Sequence, residues 1–275
     1  EAKHIIREFQ PDVAVGTGGY VCYPVLKAAS ELGIPTAVHE SNAVPGLTTK
    51  MLEGSVNTIM VGFEESRANY RHPDRVEVTG TPVRVDFLDQ DKAAARRELG
   101  IPEGKPLVVS VWGSLGASHM NEIMTDFILR ACAKPFFSLI HSAGKAGYSK
   151  MSAELEREKP DYAKLGMDVR AYIYDMPRVM AAADLVLCRA GASTLAELTA
   201  MGKPAILVPS PNVTNNHQER NARVLEAAGG AKVMLEQEFT ADSLLGLVSE
   251  LLQHPEQLEE MSRNMLALGV PDATD

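Results

Sequence analysis

Short runs rich in β-branched residues alternate along this chain with longer stretches whose apolar positions recur at helical spacing. The runs DVAVG, TAVHE, VNTIMV, RVEVTG, PLVVSVW, FFSLIHS, MDVRAYI, ADLVLC, PAILVPS and AKVML read as ten strands. Segments such as YPVLKAASELG and ASHMNEIMTDFILRAC lie between them and read as helices, with Gly33 and Gly202 placed to close two of these. Strand-helix alternation predicts an α/β protein with parallel sheets covered on both faces. The polar, proline-bearing stretch GTPVRVDFLDQDKAAARRELGIPEGK separates two such series. It predicts a first domain over residues 1–83, a second over 84–265, and a final segment, 266–275, returning toward the first. The first series has few strands for an open sheet, and Glu1 falls inside a helical pattern. The expectation is therefore a fragment with sequence missing upstream.

Composition changes this picture little. Of 275 residues, 45% are hydrophobic and 23% charged, which is ordinary for a globular protein. The net charge of -9, with no long basic run, argues against nucleic acid as a partner. Cys22, Cys132 and Cys188 stand apart, without metal or redox spacing, and predict isolated thiols. No apolar run reaches the roughly 20 residues needed to span a bilayer. No metal-binding cluster, Walker lysine, nucleophile elbow or zinc-protease motif is present, so neither a metal nor another cofactor is expected.

In parallel α/β sheets ligands sit beyond the carboxyl ends of the strands, so the loops there hold the candidate chemistry. In ADLVLCRAGASTLAEL, a strand breaks at RAGA and a helix restarts at once. Thr194 and Glu197 have capping-box spacing. The same geometry would offer helix amides to a diphosphate and the Glu197 carboxylate to a ribose diol; capping and diol binding both remain open here. In VWGSLGAS, Gly113 and Gly116 flank Ser114, a weak phosphate-loop signal. GTGGY places Gly16, Gly18 and Gly19 before Tyr20, more glycine than a plain turn requires. His39, Glu40, Ser41 and Asn42 end another strand, with His39 and Glu40 on opposite faces. Asn216 and Glu219 again resemble a capping box, putting His217 and Gln218 in a first helical turn. Arg84 stands at the domain boundary, suited to a bidentate anion or to a surface ion pair.

Taken in order, GTGGYVCYP, HESNAVPGLTTK, GTPVR, GSLGA, YIYDMP, CRAGASTLAEL and NNHQERNA span almost the whole chain. Together they resemble the MurG family of peptidoglycan N-acetylglucosaminyltransferases. The resemblance implies a GT-B fold: two Rossmann-like domains facing a cleft, the N-terminal one incomplete here. It implies inverting transfer of GlcNAc from UDP-GlcNAc to undecaprenyl-pyrophosphoryl-MurNAc-pentapeptide, at the cytoplasmic face of the bacterial membrane. It further implies that Ile173 meets the uracil through its backbone and Glu197 the ribose. Ser114 and the amides of Ala192, Ser193, Thr194 and Leu195 would surround the diphosphate, with Arg84 lining the same cleft. Gln218 and Asn42 would hold the sugar, with His217 a weaker candidate. Gly18, Gly19 and Tyr20 would cradle the acceptor pyrophosphate, with His39 and Glu40 beside them.

Three positions depart from the family pattern: Trp112 before GSLG, which would crowd the phosphate loop, Thr81 before PVR, and His217 in place of glutamine. The family's upstream GGTGGH loop is not in this sequence. Retained donor binding with weak or no turnover is therefore expected, and no residue is assigned as general base. The alternatives are another GT-B enzyme, namely a lipid glycosyltransferase or a UDP-GlcNAc 2-epimerase, or a non-catalytic UDP-sugar-binding half of a split transferase. Lys3 and Arg7 with Ile5, Ile6 and Phe9 would form either the end of a membrane-facing patch or an amphipathic core helix.

Overall fold

The computed structural model describes residues 1–113 and 118–274. Each of the ten expected strands is found, in two parallel sheets. The first holds β1 (Ala14–Gly16), β2 (Thr36–Glu40), β3 (Thr58–Val61) and β4 (Val76–Val78), side by side in chain order. Its helices are α1 (Ala2–Phe9), α2 (Cys22–Glu31) and α3 (Leu47–Leu52). Leu26, Val38, Leu52, Ile59 and Val61 form its core. The alternation of buried and partly buried residues in β2 and β3 follows from strand periodicity.

After α4 (Val85–Leu88) and α5 (Lys92–Glu98) comes the larger sheet. Its strands are β5 (Leu107–Val111), β6 (Ser138–Ser142), β7 (Met167–Arg170), β8 (Leu185–Cys188), β9 (Ala205–Leu207) and β10 (Ala231–Val233). The helices α6 (Ser118–Ala131), α7 (Lys145–Glu158), α8 (Met176–Ala182), α9 (Ala192–Ala200), α10 (His217–Ala227), α11 (Ala241–Gln253) and α12 (Pro255–Leu268) cover its two faces. Two apolar clusters result. Val108, Leu139 and Leu187 belong to one, while Val109, Ile140 and Val186 belong to the other. This is why β5 and β8 read as nearly unbroken apolar runs rather than alternating ones.

The strand order is β10-β9-β8-β5-β6-β7. The chain builds outward from β5 through β7, then returns to lay β8 on the other side of β5. That reversal is a topological switch point, and it lies between β5 and β8. The helices that follow β5 and β8, α6 and α9, pack in the two different apolar clusters, and such a switch point is where α/β sheets place ligands. Val111 pairs with Cys188 at that edge, so the loops after β5 and after β8 start side by side.

Specific side-chain contacts join the two sheet units. Phe63 packs against one apolar cluster of the second domain. Val270, past α12, packs on Gly80 of the first, where a Cβ on that glycine would overlap it.

Candidate donor-sugar site

The loop after β8 contains Arg189, Ala190 and Gly191, and α9 begins at Ala192. Gly191 is the N-cap and offers no side chain to the helix end. The Leu195 amide closes the first helical bond on the Gly191 carbonyl at 3.0 Å. The amides of Ala192, Ser193 and Thr194 precede that bond and point out of the helix end, with the positive end of the helix dipole behind them. Leu195 was expected to offer its amide to the diphosphate; that N–H is committed to the helix, and its side chain is buried.

The expected capping box fails for the same reason. The helix starts two residues before Thr194, so Thr194 lies half-buried within the first turn and caps nothing. Glu197 is thus free of a capping duty. Among the described residues its carboxylate has no hydrogen-bond or ion-pair partner. Burial raises its pKa, Arg84 opposes that rise, and Asp86 adds to it. A half-buried carboxylate without a partner, one turn above three open amides, is a poor device for stability. It is a good one for binding two hydroxyls.

Arg189 does not face this ligand space. Its guanidinium donates to the Val208 carbonyl at 3.1 Å and pairs with Glu236 at 2.6 Å, which ties the loop back toward β9. Arg84 is mostly exposed, pairs with Asp86 at 3.2 Å and lies 5.2 Å from the centre of the Phe87 ring. It forms the surface ion pair, and its charge opposes the rise in the Glu197 pKa. Ile173, between β7 and α8, buries its side chain in the core. Its backbone amide and carbonyl have no partner among the described residues and can face a base edge. Tyr172 and Tyr174 flank it, both exposed, with ring centres 4.8 Å apart.

Gln218 sits in the first turn of α10, as expected. Its Oε1 accepts the Ser210 amide at 2.9 Å, and its amide nitrogen has no partner among the described residues. His217 turns back to the Thr214 carbonyl at 2.8 Å. Asn216 is the N-cap of α10 but does not cap with its side chain. It donates instead to Glu219 at 2.5 Å. Asn215 and Asn216 both adopt left-handed backbone, with φ of 56° and 51°. Asparagine tolerates that region better than most residues, and such strain gathers at ligand sites.

Across the cleft, Asn42 follows β2. Its side chain reaches Asn221 of α10 at 3.0 Å, so the first domain contributes directly to the second domain's site. Asn221 was absent from the sequence-derived candidates. The available signal was its place three residues after Gln218, on the same helical face. Glu40 was expected in the acceptor site, but its carboxylate is buried and occupied. It accepts from the Asn42 amide and side chain, from Gly46 and from Thr49. Its work is to organise the loop. His39 is on the other face of β2, as predicted, with Nε2 2.9 Å from the Gly80 carbonyl. Gly18 and Gly19 have φ of 88° and 78°, a backbone that side-chain-bearing residues avoid, and Tyr20 is almost fully exposed.

Ser114 lies outside the described residues. Trp112 packs into the core, with its ring centre 5.3 Å from that of Phe239. A cavity of about 940 Å³ lies elsewhere, at the amino ends of β5, β8 and β9. Four of the cations lining it, Lys92, Arg96, Lys105 and Lys203, already hold protein partners. Lys203 donates to the carbonyls of Ala181 and Ala183, and Arg96 to that of Ala182 and to Asp184. These bonds satisfy the last carbonyls of α8, which gives Lys203 and Arg96 a structural role at this cavity.

The family model for the glycosyltransferase family 28 C-terminal domain matches residues 107–275, and that for the family 28 N-terminal domain matches residues 1–61. The chain belongs to glycosyltransferase family 28. A relative from Acetivibrio thermocellus is 42% identical over 275 residues, which is all of this chain and 73% of that protein. One from Thermoanaerobacter sp. (strain X514) is 44% identical over the same span and 75% of its length. Both are named UDP-N-acetylglucosamine--N-acetylmuramyl-(pentapeptide) pyrophosphoryl-undecaprenol N-acetylglucosamine transferase. The crystal structure of Acinetobacter baumannii MurG matches with a TM-score of 0.80 at 28% identity, covering 99% of this chain and 74% of that one. The UDP-GlcNAc 2-epimerase of Neisseria meningitidis, at 16% identity and a TM-score of 0.69 over 99% of this chain and 76% of its own, shares the fold. The family 28 assignment confirms the GT-B architecture and the transferase class expected from the ordered motifs.

Proposed function

We propose that this chain binds UDP-GlcNAc between the β8–α9 loop and α10 and serves the transfer of GlcNAc to undecaprenyl-pyrophosphoryl-MurNAc-pentapeptide. One observation carries the placement of the donor. An uncapped helix end at the topological switch point stands one turn below a half-buried carboxylate that has no partner among the described residues. The open amides of Ala192, Ser193 and Thr194 bind the diphosphate, and Glu197 accepts two hydrogen bonds from the ribose. The Ile173 backbone reads the uracil, while Asn42 and Gln218 hold the GlcNAc.

The chemistry follows from the charge that develops. As the bond from the anomeric carbon to the diphosphate oxygen breaks, the leaving group gains negative charge. Preorganised amides, the α9 dipole and the Arg84 guanidinium stabilise it without a metal ion. A MurNAc hydroxyl attacks the opposite face of the anomeric carbon, loses its proton to a base, and inverts the centre. Gly18, Gly19 and Tyr20 face that acceptor. The lipid places the reaction at the cytoplasmic membrane surface. No helix among the described residues is long and apolar enough to cross a bilayer. Exposed Ile5, Phe9, Tyr20, Val21, Leu47 and Met51 provide an apolar surface on the first domain for peripheral contact.

Calorimetric titration tests the donor assignment. UDP-GlcNAc is expected to bind and GDP-mannose to bind at least tenfold more weakly, a difference of about 1.4 kcal/mol or more. Equal affinities would overturn it.

A further inference from the structure

We propose that the cavity at the amino ends of β5, β8 and β9 is a second ligand site, separate from the donor crevice, and that it takes a small amphiphilic anion: an apolar body carrying one acidic head group.

Its position sets it apart from the donor seat. The open amides lie at the start of α9, whereas Ala200 at the far end of that helix, followed by Met201 and Gly202, lines the cavity. The segments entering β5, β8 and β9 contribute Pro106, Ala183 and Pro204, and α12 contributes Leu258, Ser262 and Arg263. A volume of about 940 Å³ is near the upper end of what encloses a small molecule.

Charge decides the sign of the ligand. The chain carries a net charge of -9. Yet Lys92, Arg96, Lys105, Lys203 and Arg263 line this cavity, against the carboxylates of Asp184 and Glu259. Asp184 is shared between Lys92 and Arg96, so one negative charge answers two positive ones. Lys105 donates to the Leu165 carbonyl, and Lys203 to those of Ala181 and Ala183. Carbonyls hold an ammonium group without cancelling its charge, and Lys203 keeps one N–H beyond these two bonds. Arg263 is exposed and makes no hydrogen bond or ion pair among the described residues, although Glu259 lies one turn before it on α12. The crowding of positive charge is felt at Lys203. Burial first, then Lys92, push its pKa down from 10.5 to about 8; Asp184 opposes the fall and Arg96 adds to it. An incoming anion relieves that repulsion.

The rest of the wall is apolar: Phe87 and Leu88 of α4, Met201, Leu252 and Leu258. An inorganic anion would leave this surface unused, and a neutral apolar molecule would leave the cations unanswered. A ligand with both parts satisfies both.

The test is a fluorescence titration of this chain with two probes. Anilinonaphthalene sulfonate has an aromatic body and one negative charge; phenylnaphthylamine has the same body without the charge. The sulfonate is expected to bind at least about tenfold more tightly than the amine. Arg263→Glu is expected to weaken the sulfonate about tenfold while changing the amine less than about twofold, and Leu88→Ser to weaken both. Neither saturating UDP nor inorganic phosphate, at constant ionic strength, should displace the sulfonate. Equal affinity for the two probes, or no response to Arg263→Glu and Leu88→Ser, would overturn the proposal. Displacement by UDP would put the sulfonate in the donor crevice, and displacement by phosphate would reduce the cavity to a plain anion site; either result overturns it as well. Should Arg263→Glu not fold, Arg263→Gln is read by the same criteria.

Discussion

His141 gives a test of the core beneath the site. It is fully buried on β6, with Nδ1 3.0 Å from the Ser110 hydroxyl on the neighbouring strand. Among the described residues its Nε2 has no partner. Burial pushes its pKa down from 6.5 to about 3. The imidazole is therefore neutral in the folded protein at any pH above that value, while the unfolded chain protonates it below 6.5. In that window the unfolded state binds more protons, so stability falls as pH falls. The slope approaches about 1.4 kcal/mol per pH unit, and the change from pH 7 to pH 5 integrates to about 2 kcal/mol. Other groups titrate too, so the difference between wild type and His141→Gln isolates this one. Urea denaturation followed by circular dichroism at several pH values gives that difference. Wild type is expected to lose about 2 kcal/mol more than the variant between pH 7 and pH 5. A difference that stays flat with pH would refute the buried neutral state.

Glu197→Ala should weaken UDP by about 2–4 kcal/mol, the loss of two hydrogen bonds to a charged group, and calorimetry reads it. UDP affinity should also fall on acidification at a higher pH than for an ordinary glutamate, because burial raises the Glu197 pKa and only the ionised carboxylate accepts from both hydroxyls. Asp184→Ala should destabilise the second domain by about 3 kcal/mol in urea. Asp184 accepts from Lys92 at 2.6 Å, Arg96 at 2.8 Å and the Leu107 amide at 2.8 Å. Burial alone would raise its pKa, but Lys92, that amide and Arg96 together hold it low. That stabilisation is present at neutral pH and is lost as pH falls through the lowered value. Gly16→Ala should cost about 1–3 kcal/mol in thermal unfolding, since its Cβ would run into Cys22 and Leu26 at the start of α2.

The strands and their alternation with helices were legible because parallel strands with both faces covered write themselves as apolar runs. The site loops were legible because they follow those runs. What periodicity could not show was where α9 begins. Thr194 and Glu197 match a capping box in spacing, but the turn at Gly191 starts the helix earlier, and that shift converts Glu197 from a cap into an open carboxylate. Glu40 and Asn221 were opaque for another reason. Both are polar residues at ligand-facing positions in the linear pattern, yet one spends its oxygens on its own loop and the other bridges residues 178 and 179 positions away. Long-range pairing of this kind leaves no local trace. Trp112 shows the converse: its size predicted crowding, and the pocket that receives it near Phe239 is built by residues far along the chain.

The most direct measurement is a crystal structure of this chain soaked with UDP. The diphosphate should lie against the amides of Ala192, Ser193 and Thr194, with the ribose hydroxyls on Glu197 and the uracil at Ile173. Nucleotide bound in another place, or density that leaves the β8–α9 crevice empty at saturating UDP, would contradict the account.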